Sequence, residues 1–266
     1  MGLGARPSIL ARLGPAAPLA LLPVLLALLL AWPASVAAAG GPGPVAAGAG
    51  ASALEQRLDH WPAWRLPAPL PRPGRRDLIW PAWFAGEWQV SSLTLEQPGK
   101  GAEAETDAQT ETGAPLRWRA RFVDDGHGGV VGERAFNAQA IGTALLGDQL
   151  LAVQDDPGDP NRQLARLRGD RLLDSRVVGR RSQRLGSDLF LADELTLQVL
   201  HGPGEPRISR IETLGRWERR DDGGIDGEQW QARYGSPAEG LAAPAISTTR
   251  YRLRLERLPP KSDPAN

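Results

Sequence analysis

The sequence predicts an antiparallel all-β barrel of about eight or nine strands with one or two short helices, and three observations predict it. "LRWRARFV" alternates strictly, with Leu116, Trp118, Ala120 and Phe122 on one face and Arg117, Arg119 and Arg121 on the other. "TTRYRLRLERL" repeats the pattern, setting Tyr251, Leu253 and Leu255 against Arg250, Arg252, Arg254 and Glu256. Between them, the run from Arg207 to Tyr234 reads as a hairpin whose turn, Asp221 to Gly224, tolerates positive φ. Strands with one polar face suit an antiparallel sheet, and rolling it up removes the edges that otherwise aggregate.

The elements follow in chain order. Residues 1–39 read as a signal peptide: Arg6 and Arg12 precede a charge-free apolar run, and small residues follow, with cleavage expected after Ala37 or Ala39. An uncleaved anchor is the competing reading and the one membrane contact the sequence suggests, although Pro18 and Pro23 interrupt the run. Residues 40–77 combine a Gly/Ala/Pro linker with a proline-rich arm, in which Pro62 stops a short helix begun at Leu54 and "PAPLPRPG" favours extended polyproline II. The barrel domain is expected over residues 78–258 and a disordered tail over 259–266. Further strands are expected at Trp88–Leu95, Val130–Ala135, Leu150–Gln154, Arg162–Arg168 and Arg171–Arg184, and helices at Asn137–Leu146 and Leu189–Leu200. Residues 98–115 form a polar, low-complexity connection.

"WPAW" occurs at Trp61–Trp64 and again at Trp80–Trp83, so four of the nine tryptophans sit in two copies of one tetrapeptide. Only the second leads into Gly86-Glu87-Trp88, which resembles the Gly-x-Trp at the head of the first strand of lipocalin-like (calycin) barrels. The resemblance implies a floor in which Gly86 turns the chain, Trp88 plugs the closed end and an arginine of the last strand, Arg252 or a neighbour, covers the indole. The first copy is expected to lie beyond the barrel domain, where it either buries its indoles in the same way or merely reflects local composition. More widely, "RRDLIWPAWFAGEWQVSSLTLE", "ERAFNAQAIGTALLGD" and "DPGDPNRQLARLRGDRLLDSRVVGR" resemble blocks of a domain family shared by cyanobacteria and plant chloroplasts, with Trp80 and Glu87 replacing its usual tyrosine and threonine. That likeness implies an exported protein of the thylakoid lumen or periplasm, and implies no activity.

Chemistry is sparsely signalled. Cysteine is absent, which removes disulfides, thiol nucleophiles and cysteine metal sites together. Acids and bases balance at 31 each, so no basic excess points to nucleic acid. His60, His127 and His201 lie far apart, outside any metal-ligand spacing. "DDGHGG" and "DDPGDPN" gather carboxylates suited to calcium, but both are also what tight turns require. Asp193 and Glu194 are adjacent carboxylates that point apart on a helix. No nucleophile elbow, phosphate loop or dinucleotide fingerprint appears, so no catalytic residue, metal or cofactor is expected.

Two functions remain. A barrel lined by Trp118, Phe122, Trp217, Trp230, Tyr251 and Leu253 would bind a small apolar ligand such as a lipid, pigment or isoprenoid, although an eight-strand barrel is also narrow enough for side chains to fill. A solid barrel would instead dock a subunit of a photosynthetic membrane complex during assembly. An apolar void of ~300 Å³ favours the first, and a dense interior beside an exposed apolar patch the second.

Overall fold

The chain enters its sheet at β1 (Gly86–Leu95) and continues through β2 (Glu111–Asp124), β3 (Val130–Gly132), β4 (Leu150–Asp156) and β5 (Asp159–Leu167). It then runs through β6 (Arg171–Leu185), β7 (Leu189–His201), β8 (Arg207–Arg219), β9 (Ile225–Tyr234) and β10 (Ser247–Arg257). Helices α1 (Ala53–Leu58) and α2 (Arg134–Leu146) precede β1 and separate β3 from β4. This computed structural model describes residues 52–95 and 111–259 apart from 67, 69 and 241. The expected leader, most of the linker, most of the polar connection and the tail beyond residue 259 lie outside the described residues.

All ten strands form one antiparallel sheet in the order β3-β2-β1-β10-β9-β8-β7-β6-β5-β4. Its shape is legible from one indole. Trp80 lies 5.1 Å from the ring of Phe122 on β2, 5.5 Å from Phe190 on β7 and 6.0 Å from Trp217 on β8. Flat, β2 and β7 would be ~24 Å apart at the usual strand spacing, so the sheet is strongly curled. The result is an all-β half-barrel whose edges, β3 and β4, do not meet.

Two other segments fill the gap. Helix α2 packs against β2 and β4. The arm before β1 takes an edge that β6 leaves open, because β6 pairs with β7 from Leu172 to Leu185 but with β5 only from Arg171 to Arg176. There the Arg180 N–H donates to the Pro71 carbonyl at 2.9 Å, and farther along the Trp80 N–H donates to the Val130 carbonyl at 2.8 Å. Prolines suit this segment because an arm with single-sided pairing has few N–H groups to satisfy.

Two expectations are corrected. Leu189–Leu200, read as a helix, is strand β7, paired along its length with both β6 and β8; this raises the count to ten strands. Its run from Phe190 to Glu194 is buried on both faces, and that erases the alternation by which a strand is recognised. Val130–Ala135, read as a strand, stops at Gly132, because Glu133 caps α2, which starts three residues before the expected Asn137. The first WPAW, which precedes the strands, buries an indole of its own: Trp64 is 1% exposed and packs with Leu54 and Leu66 on Leu191, Leu214, Trp230 and Tyr234, the convex face of β7 to β9.

The second WPAW serves the opposite face. Trp80, Phe84 and Trp88 join Trp118, Phe122, Phe190, Trp217 and Leu253 in the concave core. Each copy thus buries indoles against one side of the same sheet, which is worth ~1.5–3 kcal/mol per large apolar side chain removed from water.

Candidate functional site

The floor of the half-barrel is built where the chain turns into β1. Gly86 has φ 122°, a region that excludes side chains on steric grounds, and a Cβ there would stand 2.7 Å from Arg257 Nη1. Trp88 is fully buried and its Nε1 donates to the Phe84 carbonyl at 2.7 Å. The guanidinium over its ring is that of Arg257, 4.4 Å from the centroid, which also donates to the carbonyls of Ala85 and Trp83 at 2.6 and 3.0 Å. Arg252, expected in this place, sits instead opposite Leu93 and Glu228 on the outer wall. The register decides between them, because Trp88 pairs with Arg257 across β1 and β10.

The apolar lining expected for a ligand is only partly assembled. Trp118, Phe122, Trp217, Tyr251 and Leu253 share the concave core, whereas Trp230 lies on the convex face under the first WPAW. Trp230 and Leu253 differ in face because successive residues of a strand project to opposite sides: Trp230 is paired with Arg250, and Leu253 with Gly227. The concave residues are also in contact with protein rings. Trp80 and Phe84 are 4.5 Å apart, and Phe84 is 4.9 Å from Phe122 and 5.9 Å from Trp217, so aromatic side chains fill this end. A groove of about 350 Å³ does occur, but on the outer wall, among Arg216, Glu218, Asp226, Glu228, Arg252 and Arg254. Its charges lie close enough to pair, as Arg216 and Glu218 do at 3.2 Å.

Beyond the rings the interior changes character. Glu194, Thr196 and Gln198 point inward from β7, and cross-strand neighbours extend the patch on both sides. Ser175 faces Gln198 and in turn Gln163; Thr213 faces Glu194 and in turn Gln231. All of these are buried. Among the described residues no partner is found for Gln163 Oε1, Ser175 Oγ, Thr196 Oγ1, Gln198 Nε2, Thr213 Oγ1 or Gln231 Nε2.

A charged cluster adjoins this wall. Arg180 donates through Nε to Glu194 and through Nη1 to the Arg76 carbonyl, and its Nη2 lies 3.9 Å from Asp77 Oδ1. Asp77 arrives on the arm and Arg134 on α2. Burial pushes the Asp77 carboxyl up to about 7, against the pull of Arg134 and Arg180. Burial likewise lowers the Arg134 pKa, opposed by Asp77 and Glu194. Arg134 is 1% exposed, and all three of its nitrogens lack an acceptor among the described residues. Few native side chains are left so, because each buried unmade hydrogen bond costs ~1–3 kcal/mol, and more for a charged group.

Sequence reasoning missed this wall. The signal was the inward triplet Glu194, Thr196 and Gln198 at period two, invisible once the segment is read as a helix. Arg134 carries no local signal at all. Asp193, the neighbour of Glu194, points the other way, under the arm, where burial first and the Glu212 charge second hold its carboxyl well above the usual range. The acidic loops serve as turns: Asp125 accepts the N–H of His127 and of Gly129 at 2.8 Å each, and Asp156 accepts that of Gly158 at 2.7 Å.

This fold, with its floor, wall and arm, lies mostly inside residues 73–259, which match one family model. The chain belongs to DUF6816, a domain of unknown function. The DUF6816 match begins inside the arm, after the first WPAW, and takes in Asp77, the polar wall and Arg257. No curated protein and no solved structure matches the chain.

Proposed function

We propose that this DUF6816 domain is a non-catalytic binding protein that holds a small polar ligand in the interior of the half-barrel, beside β5 to β9. One observation carries the reading: a contiguous set of buried hydroxyl, amide and guanidinium groups has no protein partner among the described residues. A core selected for stability alone would be apolar there, since apolar groups of the same shape cost nothing to leave unbonded. A wholly apolar ligand fits less well, because the aromatic end is already occupied by rings in contact.

Docking to a membrane-complex subunit has weaker support. Among the described residues the large exposed apolar side chains, Ile79, Leu151, Ile208 and Ile246, belong to four different segments of the chain. Among the described residues no helix is long and apolar enough to cross a membrane. The composition of residues 1–39 supports export, and the likeness of the domain to lumenal proteins supports the thylakoid lumen or periplasm as its compartment.

Native mass spectrometry of protein purified from its own host tests the reading. A non-covalent mass of a few hundred daltons, lost on denaturation, is expected. Bare protein, with the interior polar atoms bridged only by water in a high-resolution structure, overturns it.

A further inference from the structure

The chemistry of the bound molecule can be taken further, and this step rests on the binding reading above. A guanidinium stays protonated and presents five N–H donors in a planar fork. The fork of Arg134 makes no hydrogen bond among the described residues: Asp77 accepts the N–H of Leu78 through Oδ1 while its Oδ2 is also without a partner, and Glu194 is taken by Arg180. Nη2 of Arg180 is likewise without a hydrogen bond, and the two guanidinium groups are close enough to repel. Glu194 offsets Arg180, whereas Asp77, pushed toward its neutral form by burial, offsets Arg134 only in part; the cluster can therefore take a further anion, and a carboxylate or phosphate fits the fork in two places at once.

The neighbouring groups describe the rest of the molecule. Gln163 Oε1 can only accept and Gln198 Nε2 can only donate, whereas the hydroxyls of Ser175 and Thr196 do either. A hydroxyl group on the ligand satisfies both kinds, and an alkyl chain satisfies neither. We infer that the interior takes a small polyhydroxylated anion, a sugar acid or sugar phosphate, with its acidic group on Arg134 and Arg180 and its hydroxyls on Gln163, Ser175, Thr196 and Gln198.

Isothermal titration of the full chain with D-glucuronate, D-glucose 6-phosphate and D-glucose tests this. At least one anion is expected to bind ~10-fold or more tightly than glucose, and the better of the two tells carboxylate from phosphate. Arg134→Met should abolish that preference, because the apolar side chain keeps much of the shape and offers no donor. Arg134→Lys, which keeps the charge and loses the fork, should fall between. A lower melting temperature in Arg134→Met with the anion preference intact makes Arg134 a structural group and overturns the inference. Equal binding of glucose overturns the anion assignment and leaves the binding reading standing. So does failure of all three sugars to bind when native mass spectrometry shows a different co-purifying mass. Failure of all three beside bare protein removes both.

Discussion

Phe190 and Leu191 are consecutive residues of β7 that belong to two different hydrophobic cores. Phe190 enters the concave cluster with Trp80 and Trp217, and Leu191 enters the convex cluster with Trp64 and Leu214. Few strands of an open antiparallel sheet are apolar on both sides. Here each side has its own cover, one copy of WPAW apiece. Phe190→Ala should therefore cost ~3–5 kcal/mol and Leu191→Ala ~2–5 kcal/mol, each by leaving a cavity in its own cluster. Urea denaturation of the two single variants and the double variant checks this, and near-additive losses are expected because the cavities do not share a wall.

The convex cover includes a buried ion pair. Arg57 donates to both oxygens of Glu212, at 2.8 and 2.7 Å, and Tyr234 donates to the same carboxylate at 2.5 Å. Arg57→Met leaves Glu212 buried without its cation, beside Asp193, and should destabilise the fold by ~3–5 kcal/mol. A chain cut back to residue 73, where the family match begins, lacks both Arg57 and Trp64. It should bind a hydrophobic dye and aggregate on concentration; a monodisperse truncated protein with an unchanged melting temperature would contradict the assignment of the arm as cover.

The floor makes a graded prediction. Trp88→Ala should cost ~3–5 kcal/mol by opening the closed end. Arg257→Met should cost ~1–3 kcal/mol, through the lost cation–π contact and two lost hydrogen bonds to carbonyls. Arg252→Met, whose interactions lie on the exposed outer wall, should cost less than ~1 kcal/mol. Chemical denaturation midpoints in that order support the floor as described, whereas equal losses at Arg252 and Arg257 do not.

A tight contact inside the sheet gives a glycine prediction. The Trp217 ring lies across Gly227 on the neighbouring strand, so that a Cβ at Gly227 would stand 2.4 Å from it. Gly227→Ala should displace the indole from the aromatic cluster and cost ~1–3 kcal/mol, measured as a lower thermal midpoint with a changed near-ultraviolet circular dichroism.

The charged cluster predicts an inverted pH response. Asp77 is raised from 3.8 to about 7 by burial, with Glu194 acting in the same direction and Arg134 and Arg180 against it. Between about pH 4 and 7 the folded protein holds a proton that the unfolded chain has released, so stability falls as pH rises through that window, by up to ~4 kcal/mol. The fully buried Asp193 adds to the same trend. Denaturation midpoints should be higher at pH 5 than at pH 8, and Asp77→Asn should flatten the difference. Equal midpoints in the wild type would show that Asp77 is ionised throughout.

Parts of the site were legible in the chain and parts were not. Gly86 and Trp88 announce themselves, because a glycine forced to positive φ before a buried indole is a local requirement. The covering arginine is not local, since β10 carries a guanidinium at almost every second residue and the register alone selects Arg257. Arg134 and Asp77 are farther out of reach. They meet Arg180 and Glu194 only because a helix and a proline-rich arm fill the gap in a curled sheet.

By itself the sequence determined the all-β class, the hairpin at Asp221–Gly224, the helix that follows β3 and the turn into β1, because period-two alternation, turn chemistry and positive φ act over a few residues. Only the tertiary structure decided that Leu189–His201 is a strand, that the two WPAW copies cover opposite faces, and that the interior is aromatic at one end and polar at the other. Burial on both faces removes the alternation that marks a strand, and curling joins residues that no short-range rule relates.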